Sequence, residues 1–345
     1  MLMPSTSIAT VDDLEEALSR PSESAVAALG RLEGDLLVLG VNGKMGPTLA
    51  RMAARASAAA GVQRRVIGVS RFTTGDLESR LRTHGIETIR CDLLDPDQLS
   101  GLPDAANVIV MAGMKFGSTG QEALTWAINC HVPSLICTRF RRARIVAFST
   151  GNVYGMTPIA RGGSLECDPL VPQGEYSQSC LGRERIYEHF SRTWNIPMAL
   201  LRLNYATELR YGVLVDVAQK VLAGATVDLT MGACNSIWQA DANAMALCAF
   251  EHVASPPFVV NIAGPEMLSI RRVAEEFGRL FGKEVRMSGS ESPDAFLSNG
   301  QKGHRLFGYP RVAPQQMMHW IADWLQRGGP TFGKPTHFEV RDGKF

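Results

Sequence analysis

Lysine is scarce in this chain: only seven of its 345 residues, at positions 44, 115, 220, 283, 302, 334 and 344, so arginine supplies most of the 35 basic side chains. Against them stand 34 acidic residues, leaving a net charge of +1. Such a balance gives no electrostatic footprint for nucleic acid or anionic lipid. Paired cysteines are missing too. Cys91, Cys130, Cys137, Cys167, Cys180, Cys234 and Cys248 are scattered and odd in number, and none forms a C-x-x-C pair, so they read as reduced thiols rather than a disulfide framework or a zinc site. No apolar run approaches the ~18 residues that cross a bilayer, and residues 1–34 hold no signal-peptide core, so a soluble, cytoplasmic protein is expected. His131, His189, His252, His304 and His319 have neither H-x-x-x-H spacing nor a carboxylate cluster around them, and no metal is predicted. The run RFRRAR at 139–144 precedes an apolar strand in a neutral chain and reads as a solvated loop.

What the chain does contain is ordinary globular material, 45% hydrophobic and 20% charged, enough for one large domain with a smaller partner. Thr10-x-x-Asp13 forms a capping-box pattern opening a short helix through Ser19; Pro21 stops it, and Ser22 to Leu32 reads as a second helix. This extension, residues 1–34, is expected to pack at the edge of a sheet. From Asp35 onward, apolar runs at 35–39, 65–70, 86–91, 107–112, 144–149 and 198–203 alternate with helical patterns at 46–60, 76–84, 96–101, 119–138 and 174–194. Strands that read as continuous apolar residues, such as NVIVMAG and RIVAFST, must be covered on both faces. The alternation therefore predicts an α/β fold with a doubly wound parallel sheet. After about residue 205 the rhythm changes to helices at 212–223, 241–253, 270–281 and 315–327 with short strands at 227–230, 258–262 and 284–287, a smaller helix-rich region against the sheet's carboxyl edge.

Directly after the first strand comes GVNGKMGPTLA. Gly40 permits the tight turn, Gly43 lets backbone approach a pyrophosphate, and Gly46 lets the next helix pack closely on the strand, with Lys44 and Met45 between them and Pro47 in the first helical turn. Between a strand and a helix at the start of a βαβ unit, this spacing points to a dinucleotide. The expected organisation is a Rossmann NAD(P)-binding domain over 35–205, a mainly substrate-binding region over 206–330 and a C-terminal tail over 331–345, whose closing RDGKF reads as loop or arm. The second strand ends in Ser70 and Arg71 rather than an acidic residue. A hydroxyl and a guanidinium suit a 2′-phosphate, which favours NADP over NAD.

From Asp35 to Trp324 the sequence resembles the extended short-chain dehydrogenase/reductase family, also called NAD-dependent epimerase/dehydratase. The resemblance rests on the glycine cradle and on CDLLDPDQL, VIVMAGMKFG, FSTGNVYG and ADANAMAL, the last of which places Asp241 in a D-x-A motif. It implies cofactor contacts from Asp92 and Leu93, from Ala112 and Gly113, from Lys115 on the phosphates, and from Tyr176. It implies that Thr150, four residues before the Tyr of V-Y-G, orients the reacting C–O group. The catalytic acid/base would be Tyr176, on the helix that follows.

That Tyr belongs to a Y-x-x-x-K motif in the family, in which the lysine ammonium makes the phenol a usable base. Here the fourth position is Cys180, and none of the seven lysines has a Tyr four residues before it. Three outcomes are open: Arg183, seven residues after Tyr176, supplies the positive field; Lys115 reaches in; or the phenol stays protonated. Cys180 itself reads as a small packing residue. Gly151 and Asn152 stand where the family's dehydratases carry an Asp-Glu pair, which disfavours water elimination. Asn235 stands where nucleotide-sugar members carry an arginine, which leaves room for a simpler sugar, sugar acid or polyol. Asn152, Asn204, Tyr205, Arg210 and Trp238 are the substrate-binding candidates. The resemblance thus implies an NAD(P)-dependent epimerase or oxidoreductase acting on a hydroxyl/ketone of a sugar-like substrate, with a homodimer through the helices at 119–138 and 174–194. The alternative is a catalytically weak or inactive NAD(P)-binding sensor or scaffold.

Overall fold

The computed structural model describes residues 8–343 except 74, 116 and 118; the first seven residues of the N-terminal extension and the last two of the tail lie outside the described residues. Two capped helices open it. α1 (Val11–Leu18) has the capping box from Thr10 and Asp13, and α2 (Glu23–Arg31) is capped by Ser22. They pack not at the sheet's edge, as the sequence suggests, but on the helical layer. There Leu14, Leu18 and Leu29 are fully buried, and Glu16 pairs with Arg51 and Arg55 at 2.7 and 2.6 Å.

The central sheet then forms as the alternation predicts: β1 (Leu36–Leu39), α3 (Gly46–Ala59), β2 (Val66–Ser70), α4 (Leu77–Thr83), β3 (Glu87–Arg90), α5 (Pro96–Ser100) and β4 (Asn107–Val110). Next come α6 (Glu122–Trp126), a π-helical turn at Ala127–His131, α7 (Val132–Arg139), β5 (Arg144–Thr150), α8 (Gly174–Trp194) and a strand at Met198–Leu203. Along β1 all four residues are buried, Leu36 and Val38 in one core and Leu37 and Leu39 in the other. That explains the unbroken apolar run, because alternate side chains enter opposite layers.

Seven strands lie in the order Phe258–Ile262, Met198–Leu203, β5, β4, β1, β2, β3, all pairs parallel. The 258–262 run, assigned from the sequence to the separate helix-rich region, is in fact the seventh strand of the main sheet, in register from Phe258 opposite Ala199 to Ile262 opposite Leu203. The remaining helices are α9 (Val213–Leu222), α10 (Gln239–Cys248), α11 (Ile270–Phe281), α12 (Gln301–Phe307) and α13 (Pro314–Gln326). Successive connections leave β1 toward β2 and β3 on one side and toward β4 and β5 on the other. A crevice therefore opens between the carboxyl ends of β1 and β4, the place where open α/β sheets bind ligands. Among the described residues no helix is long and apolar enough to cross a membrane.

Candidate active site

At that crevice the turn after β1 meets the loop after β4. Gly40 has φ +84°, and a Cβ there would stand 2.6 Å from the Ala112 backbone nitrogen. At Gly46 a Cβ would strike the carbonyl oxygen of Val41. Both glycines are required by packing. Gly43 is different: the nearest atom to its notional Cβ is the Gly40 oxygen at 3.5 Å, and its φ is not positive. Space in front of this backbone, next to a helix whose N-terminus has Pro47 and no side-chain cap, is what an incoming diphosphate needs.

A cleft of about 420 Å³ extends from there, lined by Gly43, Lys44, Met45, Gly46, Gly113, Lys115, Thr150, Asn152, Tyr176, Arg183, Asn204 and Tyr205, among others. Residues far apart in the chain, from Asn42 to Thr336, thus line one cleft. Tyr176 is presented by the first turn of α8. Its phenol is hydrogen-bonded to Thr150 and to Cys180. Burial raises its pKa well above 10; Cys180 adds to the rise, while Arg183 and the Thr150 hydrogen bond oppose it. At neutral pH the phenol carries its proton. Thr150 also accepts a hydrogen bond from the Asn152 backbone at 3.2 Å, so this hydroxyl caps the turn after β5 as well as meeting Tyr176.

Arg183, two turns along α8, is buried beneath the cleft. It donates to the Phe148 carbonyl at 3.0 Å and to the Asn129 side chain, and its guanidinium lies against Gly113. Asn129 belongs to the π-helical turn, a local widening that brings its amide to the backbone of Met114, which it contacts through both its oxygen (3.0 Å) and its nitrogen (3.1 Å). The turn thereby ties Arg183 to the β4 loop. Lys115, on that loop, holds its ammonium 5.8 Å from the centre of the Tyr176 ring. Burial lowers it to about 8. Both candidate cations for the missing lysine are therefore at the phenol.

Three other expected cofactor residues, Ser70, Arg71 and Asp92, lie outside this cleft at the ends of β2 and β3, where Arg71 stands 3.9 Å from Asp92; Leu93 follows them, and Ala112 forms the wall behind Gly40. Among the substrate candidates, Asn152, Asn204 and Tyr205 line the cleft. The side-chain nitrogen of Asn152 and the hydroxyl of Tyr205 are buried and find no partner among the described residues. Two candidates are corrected. Arg210 is turned away, held by the buried Glu208 and the half-buried Glu15 at 3.1 Å each, because these carboxylates outcompete the cleft for its charge. Trp238 is 2% exposed and packs on Trp320 with ring centres 5.5 Å apart, so it is core and not a platform for a sugar. Asn235 is a cross-tie, bonded to Asn204 at 2.6 Å and to the Ser298 carbonyl at 2.6 Å. Asp241 accepts from the backbone nitrogens of Arg311 (2.9 Å) and Val312 (3.2 Å) and fastens the approach to α13.

The sequence missed the tail. Part of the tail returns over the cleft, where Lys334 and Thr336 line it together with Tyr211, Gly212 and Gln239. No periodicity marks such a segment; its only sequence signal is a lysine in a lysine-poor chain.

The sequence pattern of the NAD dependent epimerase/dehydratase family matches residues 36–212, just over half of the chain. The chain belongs to that family. No curated protein sequence matches it. Solved structures of similar fold include dTDP-glucose 4,6-dehydratase from Bacillus anthracis in complex with NAD (TM-score 0.70, 16% identity, covering 86% of this chain and 97% of that one). UDP-glucuronic acid 4-epimerase from Bacillus cereus, with UDP-glucuronic acid and NAD, gives 0.69 at 18% identity over 85% and 99%. RMD from Pseudomonas aeruginosa, with NADPH, gives 0.64 at 18% identity over 85% and 100%. At these identities the likeness is one of fold, and the family's chemistry in this chain must be argued from its own residues.

Proposed function

We propose that this chain is an NAD(P)-dependent epimerase or oxidoreductase acting on a hydroxyl/ketone pair of a sugar-like substrate. One observation carries the reading: the hydrogen-bonded pair Thr150 and Tyr176 faces the same cleft as the glycine cradle. Gly43, Met45 and the open N-terminus of α3 would hold the dinucleotide diphosphate, with Lys115 near. Ser70 and Arg71 would meet the adenosine end, where the guanidinium favours NADP. When bound, the nicotinamide supplies the hydride donor or acceptor. Tyr176 gives its proton to a carbonyl oxygen, and in the reverse direction takes one from a hydroxyl as the phenolate, while Thr150 holds that oxygen in line. Arg183 and Lys115 supply the positive field that Cys180 does not. Gly151 and Asn152 offer no acid and base for water loss. Asn152 and Tyr205, with buried polar atoms turned to no partner among the described residues, would receive substrate hydroxyls.

The test has two parts. Denaturing the purified protein and identifying any released NAD⁺ or NADP⁺ reads the cofactor. Hydride transfer with a panel of sugars and sugar acids, in wild type and Tyr176→Phe, reads the reaction. Retained NAD⁺ would support an epimerase, which needs no exchange of cofactor, and would remove the preference for NADP. Turnover equal in the two proteins would sink the catalytic role.

A second reading, an NAD(P)-binding sensor or scaffold, is favoured by the raised phenol and its neutral neighbour Cys180; dinucleotide binding without turnover on any substrate would support it. For either reading we infer a homodimer through α6–α8, where Leu124 and Trp126 are exposed; sedimentation would read the mass.

A further inference from the structure

After α13 the chain does not leave the molecule. The Phe332 amide donates to the Arg210 carbonyl at 3.1 Å, and the Arg210 guanidinium lies 4.7 Å from the centre of the Phe332 ring. Four residues on, Thr336 donates through its amide (2.8 Å) and its hydroxyl (2.5 Å) to one oxygen of Asp216, in the first turn of α9. Phe338 is 1% exposed in the main core, Arg341 pairs with Asp294, and Gly343 lies against Gln173 and Gly174, two residues before Tyr176. This is a strap, fixed at five points.

Between its first two anchors the strap passes Tyr211 and Gly212, and there Lys334 lines the cleft. Lys44 comes to the same place from the opposite side: its side chain leaves the cradle and stands 3.0 Å from the centre of the Tyr211 ring. Lys115 donates to the Thr336 carbonyl at 3.4 Å. Three of the chain's seven lysines thus line one cleft, where like charges repel. Burial, with the charges of Lys115 and Lys334, lowers Lys44 to about 6. The carboxylates whose fields favour its charge, Asp216 and Glu208, are engaged by Thr336 and Arg210.

We propose that Lys334 on the strap and Lys44 on the cradle form a subsite for an oxyanion group of the substrate, a phosphate or a carboxylate, on the Tyr211 side of the cleft. The proposal rests on the enzymatic reading above and names its substrate class: an anionic sugar rather than a neutral one. Two observations separate this subsite from the one for the cofactor diphosphate. The diphosphate is provided for by backbone at Gly43–Gly46 and the start of α3, whereas the Lys44 side chain points away from that backbone toward the 205–212 loop. And Asn235, in the place of the arginine that nucleotide-sugar members carry, is bonded to Asn204 and Ser298, so the cation comes from the tail.

The experiment is calorimetric titration of inorganic phosphate into the full-length protein saturated with its dinucleotide, for wild type, Lys334→Gln and Lys334→Arg. Lys334 is exposed to solvent, so these variants should fold as wild type does. The proposal expects phosphate affinity to fall tenfold or more in Lys334→Gln and to recover in Lys334→Arg, with dinucleotide affinity within twofold throughout. In turnover, KM for an anionic sugar should rise more than kcat falls; a hexose phosphate and a hexuronate assayed side by side distinguish the two oxyanions. Absence of phosphate binding to wild type, indifference to Lys334→Gln, or a parallel loss of dinucleotide affinity would each overturn it. Failure of the enzymatic reading looks different: turnover would survive Tyr176→Phe while phosphate binding still depended on residue 334.

Discussion

Cys180 shares a hydrogen bond with Tyr176 from one helical turn further along α8, in the position where the family's motif carries a lysine. A thiol there does nothing to stabilise phenolate. The cations near the phenol arrive by other routes, Arg183 from the next turns of the same helix and Lys115 from the loop after β4. Burial and Cys180 outweigh Arg183, so Tyr176 carries its proton at neutral pH, and Tyr176→Phe should cost about 10²–10⁴-fold in kcat with little change in melting temperature. Steady-state kinetics beside thermal unfolding check this.

Arg183 lowers the Tyr176 pKa, so its removal moves the phenol's titration to still higher pH. In Arg183→Met the alkaline limb of the kcat profile should shift upward, and the shift should be absent in an Asn129→Ala control that keeps the charge. Leaving the Phe148 carbonyl and Asn129 without their donor should also destabilise the fold by about 1–3 kcal/mol. Denaturant titration reads the second effect separately from the first.

Two glycines of the cradle should respond differently. Gly43→Ala makes only an ordinary van der Waals contact with the Gly40 carbonyl and keeps ordinary backbone angles, so melting should be unchanged while NAD(P) affinity falls. Gly46→Ala drives a methyl into the Val41 carbonyl and should cost about 1–3 kcal/mol of stability whether or not the dinucleotide is present. Equal behaviour of the two variants would contradict the division of roles.

Lys44 has its folded pKa lowered to about 6, against about 10.4 in an unfolded chain. A depressed folded value means that the unfolded state binds more protons between these limits, so this residue's contribution to stability is complete above the unfolded value. It declines as pH falls and is lost through the folded one. Lys44→Met should flatten the stability-versus-pH curve between pH 6 and 10, measured by denaturant midpoints on protein freed of nucleotide. A reagent that acylates neutral amines should label Lys44 near pH 7 ahead of surface lysines, and bound nucleotide should slow it.

Asp241→Ala removes the acceptor for two backbone amides and for the Arg311 guanidinium at 2.9 Å. With Arg311 a third exposed, the larger loss is the two backbone amides left without an acceptor, about 1–3 kcal/mol. The variant should melt lower with an unaltered KM for substrate, since Asp241 is outside the residues lining the cleft.

Much of this was legible in the residues themselves. The apolar runs of β1 to β5 and the helices at 174–194 and 270–281 follow from local periodicity, because burial on one or both faces leaves its period in the sequence. The cradle was legible for a similar reason: Gly40 and Gly46 are dictated by backbone contacts within a single βαβ unit. Chain-local geometry also put Tyr176, Cys180 and Arg183 on neighbouring turns of one helix.

What tertiary structure alone decided concerns residues whose alternatives are equal in local terms. Phe258–Ile262 is a short apolar run that suits a minor ladder or the main sheet, and only the open edge beside Met198–Leu203 selects the latter. Arg210 and Trp238 have chemistry suited to a sugar, but Glu15, 195 positions away, and Trp320 claim them first. The strap carries no period because its anchors are single contacts to Arg210, Asp216, Asp294 and Gly174, and a segment held point by point leaves no pattern in its own sequence. By itself the sequence determined the fold, the family resemblance and the missing lysine; the packed chain determined that Arg183 and Lys115 stand near Tyr176 and that the tail brings Lys334 to the cleft, because these placements depend on contacts between distant segments.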